Sequence, residues 1–117
     1  MPVGNNYLVQ GSWASKEEYY FSLALDRLRI SYQFQLSLWM GNLRRGGVKI
    51  DFLVFIPYRQ PVEILGTRWH TGSFGKDDPW RLARIRAHFK RDVIEIWDYD
   101  LETPDEAYIT ARQKLRV

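Results

Sequence analysis

Two acids stand where strand sequences seldom carry them. Asp51, in IDFLV, and Glu63, in VEILG, each lie inside an apolar run with the character of a β-strand. A carboxylate in such a place needs compensation. One source is an arginine or a solvated face; the other is a hard divalent cation such as Mg²⁺, which takes its oxygen ligands from a few carboxylates. Both acids fall within the stretch Gly46 to His70, GGVKIDFLVFIPYRQPVEILGTRWH, around which the rest of the chain is arranged.

A second set of residues is basic. Arg81, Arg84, His88 and Arg91 recur at helical spacing, one residue ahead of the apolar series Leu82, Ile85 and Phe89, so one flank of that helix is cationic about 100° round from its core face. Arg44 and Arg45 add charge in the loop Gly41 to Gly47. Such groups either contact phosphates, giving salt-dependent affinity without sequence preference, or form a solvated flank.

The elements that must position these residues follow from pattern. Ser15 and Glu18 have the spacing of a capping box, and Phe21, Leu25 and Leu28 continue it as a helix to about Ser31. Glu18 lies one turn before Phe21, on the core-facing line. Tyr32 to Met40 alternates Tyr32, Phe34, Leu36 and Leu38 against Gln33, Gln35 and Ser37, a strand with one buried face. Val48 to Ile56 is apolar on both sides, with Val48, Ile50, Phe52 and Val54 on one face and Asp51, Leu53 and Phe55 on the other, which predicts a central strand. Pro57 to Pro61 supplies a turn and Val62 to Trp69 a third strand. Asp78 and Pro79 open a second helix, Val93 to Trp97 forms a fourth strand, and Thr103, Pro104 and Glu106 start a final helix through about Leu115. The expected order is αβββαβα, a mixed α/β sheet of about four strands flanked by helices.

Bulk properties narrow the rest. With 117 residues the chain reads as a single domain, 1–117, and its composition, 45% hydrophobic and 26% charged, is that of a globular protein. The formal charge of +3 is too small to argue for nucleic acid by itself, so any such signal rests on where the charges sit. The absence of cysteine excludes disulfides, thiolate metal sites and cysteine nucleophiles. Met1 to Ser12 lacks the basic start and apolar run of a signal peptide and no apolar stretch approaches a membrane span, so a soluble, cytoplasmic protein with no membrane partner is expected.

Taken in order, these residues resemble the PD-(D/E)xK, or restriction-endonuclease-like, superfamily, and within it the small Vsr-like and DUF559-type domains. The resemblance runs from Ser15 to Leu115. It matches Glu18 or Glu17 to a glutamate of the first helix, Gln35 to a glutamine near the end of the first strand, and Asp51 to the metal-binding aspartate. Glu63 matches the second acid, Gly66, Trp69 and His70 a glycine followed by a tryptophan-histidine pair, and Asp78 with Arg81 an Asp-x-x-Arg at the next helix start. It implies a metal-dependent DNA endonuclease of repair, recombination or phage type. Asp51, Glu63 and the Ile64 carbonyl would hold Mg²⁺ or Mn²⁺, Glu18 would sit in the outer shell, and the basic residues would contact DNA. One departure is plain: two residues after the second acid, where the family has lysine or an acid, the chain has Leu65. His70, as an imidazole titrating near neutrality, or Lys49 or Lys76 would then supply the missing function. The alternatives are a Holliday-junction resolvase, which would be a homodimer, and a catalytically inactive nuclease fold that binds nucleic acid or serves an assembly.

Geometry sets a condition. A hairpin turning symmetrically at Tyr58 and Arg59 puts Asp51 opposite Gly66 or Thr67, about 10 Å along the ladder from Glu63 and too far for one ion. Convergence of the two acids requires a bulge or bend between Phe55 and Val62, or a turn off centre.

Overall fold

The computed structural model describes residues 7–38, 48–67 and 79–117. Its elements are a hairpin of β1 (Leu8–Val9) and β2 (Ser12–Trp13), then α1 (Lys16–Arg27), β3 (Tyr32–Leu38), β4 (Val48–Phe55), β5 (Arg59–Leu65), α2 (Pro79–Phe89), β6 (Ile94–Trp97), a 3₁₀ turn at Asp98–Asp100, and α3 (Pro104–Leu115). From α1 onward this is the expected αβββαβα order. The four-stranded sheet runs β3-β4-β5-β6, antiparallel across the first two pairs and parallel across the last. The passage from β5 through α2 to β6 therefore joins parallel neighbours.

The N-terminal hairpin is not anticipated by the sequence reading. Gln10 and Gly11, with φ of 51° and 84°, form its two-residue turn, and positive φ at both positions gives the twist that a two-residue hairpin needs. Its function is local. The Gln10 amide donates to the Tyr32 carbonyl at 2.8 Å and accepts from the Phe34 N–H at 2.9 Å, so a side chain satisfies the outer edge of β3 at the start of that strand.

Helix α1 begins as expected. Ser15 Oγ accepts from the Glu18 N–H at 3.1 Å, and Glu18 Oε1 accepts from the Ser15 N–H at 2.9 Å. It ends at Arg27 rather than near Ser31, because Arg29 takes φ of 59° while the Arg29 and Ile30 N–H groups donate back to Asp26 and Leu25. That is a Schellman closure with arginine in the position glycine usually fills.

Two packed layers enclose the sheet. Phe21, Ala24 and Leu25 of α1 and Ala107, Ala111 and Leu115 of α3 join Phe34, Phe52, Val54, Val62, Ile64 and Ile96 in the larger core. On the opposite face Ile85 and Phe89 of α2 pack with Ile50 and Leu53, and Leu36 and Val93 lie against them. This division corrects the expected alternation. Phe34 and Leu36 should share a face of β3, as should Phe52 and Ile50 on β4, yet each pair is split between the two cores. The reversal occurs at Gln35, whose φ is 56°.

Candidate functional site

The β4–β5 hairpin is off centre, and that decides the geometry. Its register pairs Phe55 with Arg59 and Phe52 with Val62, so the loop is only Ile56 to Tyr58, and Arg59, Gln60 and Pro61 are strand residues rather than turn. Pro61 is accommodated because the β6 ladder starts at Val62, one residue later. Gln60, buried, anchors this end by donating through Nε2 to the carbonyls of Pro61 and Asp92. Counting on from Phe52 and Val62, Asp51 stands opposite Glu63.

At that step the backbone pairing of β4 and β5 gives way to side chains. The Asp51 N–H donates to Glu63 Oε2 at 2.9 Å, and the Ile64 N–H donates to Asp51 Oδ2 at 2.9 Å. Each carboxylate thus accepts an N–H of the neighbouring strand, as a carbonyl of its own strand would in a regular ladder. The β4–β5 ladder ends at Phe52 and Val62, and both acids lie at the opening in the pairing just beyond it. On the other side of Asp51 stands Gln35, exposed, with its left-handed backbone. A non-glycine residue in that conformation costs about 1 kcal/mol, and strain of this kind collects at functional sites.

Glu63 is fully buried, at 0% exposure. Its Oε1 accepts from Arg81 Nη2 at 2.8 Å, and the same nitrogen donates to the Lys49 carbonyl. The Arg81 side chain is 17% exposed. A buried carboxylate carries a large desolvation penalty unless a counter-charge and hydrogen bonds surround it, and here the guanidinium and the Asp51 N–H provide both. Arg81 therefore belongs to the site rather than only to the basic flank where its spacing puts it. The sequence signal was its position at the margin between the flank and the core face, in the first turn of α2.

The remaining expected residues divide three ways. Glu18 closes the α1 cap. Arg84, His88 and Arg91 stay on the outer flank of α2 and just beyond it: the Arg84 guanidinium lies 4.6 Å from the centre of the Trp80 ring and that of Arg91 lies 3.4 Å from Tyr58. Trp80, in the first turn of α2, is 53% exposed. His70, Arg44 and Arg45 lie outside the described residues, as do Trp69, Lys76 and Asp78. Leu65 is half-buried and pairs in parallel register with Trp97.

Carboxylates are the donor type that a small hard cation takes, and here both Glu63 oxygens already accept hydrogen bonds, from the Asp51 N–H and from Arg81. Among the described residues no group of three or more His, Asp or Glu side chains could hold a metal, so a cation here would depend on Asp51, Glu63 and backbone oxygen, with Arg81 sharing Glu63. A separate polar feature closes the end of β5, where Asp98 Oδ2 accepts from the Thr67 N–H and hydroxyl at 3.0 and 3.1 Å.

A scan of protein-family models finds no match to this chain, and searches of curated proteins and of solved structures find none either. Among the described residues no helix is long and apolar enough to cross a membrane.

Proposed function

We propose that the chain is a metal-dependent DNA endonuclease of the restriction-endonuclease-like kind, acting in repair, recombination or a phage setting in the cytoplasm. One observation carries the reading: Asp51 and Glu63, on adjacent strands of an αβββαβα fold, are linked across one break in the ladder, Glu63 accepting the Asp51 N–H and Asp51 the N–H of Ile64, whose carbonyl is the third oxygen that the resemblance implies. Asp51, Glu63 and that carbonyl would hold Mg²⁺ or Mn²⁺. An ion so held supplies an activated water and offsets charge on the scissile phosphate. In the hydrolysis the attacking water would give up a proton as its oxygen bonds to phosphorus, one P–O ester bond would break, and the leaving oxygen would take up a proton.

The chain's own groups do the rest. Arg81 fixes the Glu63 carboxylate and is the cation paired with it, whereas Leu65 carries no charge. His70 serves as base or phosphate ligand. Arg84, His88 and Arg91, with Arg44 and Arg45, hold the DNA backbone.

The test is incubation of plasmid, mismatched and four-way-junction DNA with Mg²⁺ or Mn²⁺, comparing wild type with Asp51→Asn. Metal-dependent cleavage lost in the variant is expected, and junction-specific cleavage by a homodimer would define the resolvase form. Cleavage that survives the substitution would overturn the assignment. A second reading, nucleic-acid binding without catalysis, is favoured by the Arg81–Glu63 pair, which neutralises Glu63 without any metal. Binding with no cleavage in either metal would select it.

A further inference from the structure

We infer that the outer flank of α2 is a docking track for an unpaired DNA strand, leading to the Asp51–Glu63 opening; this rests on the DNA-directed reading above and specifies its substrate class. At 100° per residue, Trp80, Arg84 and His88 fall within one sector of the helix, with Arg81 at its inner margin and Ile85 and Phe89 beyond it in the core. Because Arg81 bonds Glu63, this sector is the side of α2 that borders the opening. The other flank differs: Arg86 is engaged with Asp92 at 3.3 Å.

What distinguishes the track from an ordinary basic surface is that its arginines lie on exposed aromatic rings. Arg84 lies over Trp80, 53% exposed, near the start of the helix, and Arg91 lies over Tyr58, 41% exposed, just past its end. Residues 80 and 89 are separated by about 13.5 Å of helical rise, and Arg91 follows two residues after the helix ends. Between them His88 is exposed, and Arg59, also exposed, reaches the edge of the same region with its guanidinium 5.6 Å from the Phe89 ring. Duplex DNA offers phosphates to such a surface but keeps its base faces stacked internally. An unpaired strand offers phosphates to the guanidinium N–H groups and base faces to rings and guanidinium planes together. Two aromatic–arginine platforms flanking a cationic strip complement the second ligand.

The experiment is fluorescence anisotropy, in EDTA to prevent cleavage, with a labelled oligothymidine and a labelled duplex of equal length. Wild type, Trp80→Ala, Tyr58→Ala and Arg84→Lys are compared; all three positions are at least partly exposed, and circular dichroism checks that each variant folds. Wild type should bind the single strand about ten-fold more tightly than the duplex. Each aromatic substitution should weaken single-strand binding by about ten-fold and leave duplex binding within about two-fold. Arg84→Lys, which keeps the charge and loses the plane, should lie on the side of the aromatic variants. Equal or tighter duplex binding, or aromatic variants that match wild type, would overturn the inference while leaving metal-dependent cleavage untouched. Tight single-strand binding with no cleavage in Mg²⁺ or Mn²⁺ supports it and overturns the catalytic reading instead.

Discussion

The two faces of the sheet are built on different principles. Beneath α1 and α3 the core is apolar and aromatic: Phe52 meets Phe21 edge-on with ring centres 5.0 Å apart, and Phe34 at 4.9 Å. Beneath α2 the buried apolar set among the described residues is four, and alongside it the protein buries a glutamate against an arginine. A face that holds the fold by area alone has no need of Glu63. The difference puts the larger apolar core on the first face and a buried ion pair on the second, with Gln35 and Asp51 at the seam where side chains change from one to the other.

The largest effect should come from the first face. Phe52→Ala removes a fully buried ring shared by three aromatic neighbours and should cost about 4 kcal/mol by urea unfolding. A loss well below that of any α2-face substitution would break the division. Next, Arg81→Met leaves Glu63 buried without its counter-charge and should cost about 3 kcal/mol. Glu63→Gln combined with Arg81→Met should recover part of the loss, since the stranded charge is then gone. If the single and double variants are equally unstable, the pair is not what compensates Glu63. Ser15→Ala, which removes the α1 cap, should cost about 1 kcal/mol and leave metal and DNA binding unchanged.

The smallest effect is one of pH. Tyr32 has its phenol pushed above the ordinary value of 10 by burial and by the nearby Asp26 charge, against a smaller opposing hydrogen bond from Ser22. The folded state thus holds the phenolic proton more tightly than the unfolded state. Its contribution is complete below pH 10 and declines as the pH rises from there through the raised folded value. The urea midpoint of wild type should fall faster than that of Tyr32→Phe across that window; parallel curves would show that the burial of this ring has no electrostatic consequence.

Much of this was legible in the sequence, for reasons that differ by element. Ser15 with Glu18 and Thr103 with Pro104 marked helix starts because capping is a local interaction. The αβββαβα order followed from runs whose periods are local too. What was not legible depends on pairing. The hairpin turn lies at Ile56 to Tyr58, and nothing in Pro57 to Pro61 reveals that Arg59 already faces Phe55. The left-handed backbone at Gln35, which splits Phe34 from Leu36, is set by neighbouring strands, so alternation alone places both on one face. Asp51 and Glu63 were recognised as the acids to explain, but their meeting, and the inward reach of Arg81, are products of that register. The short β1–β2 hairpin was missed because its strands are two residues each and carry no period.

The most direct test of the claim that the β4–β5 opening is a cation site is a Mn²⁺ titration followed by electron paramagnetic resonance, with wild type and Asp51→Asn in parallel. The account predicts one bound ion in wild type and its loss in Asp51→Asn, with thermal unfolding confirming that the variant remains folded. An ion retained by Asp51→Asn, or no bound ion in the wild-type protein at millimolar Mn²⁺, would contradict it.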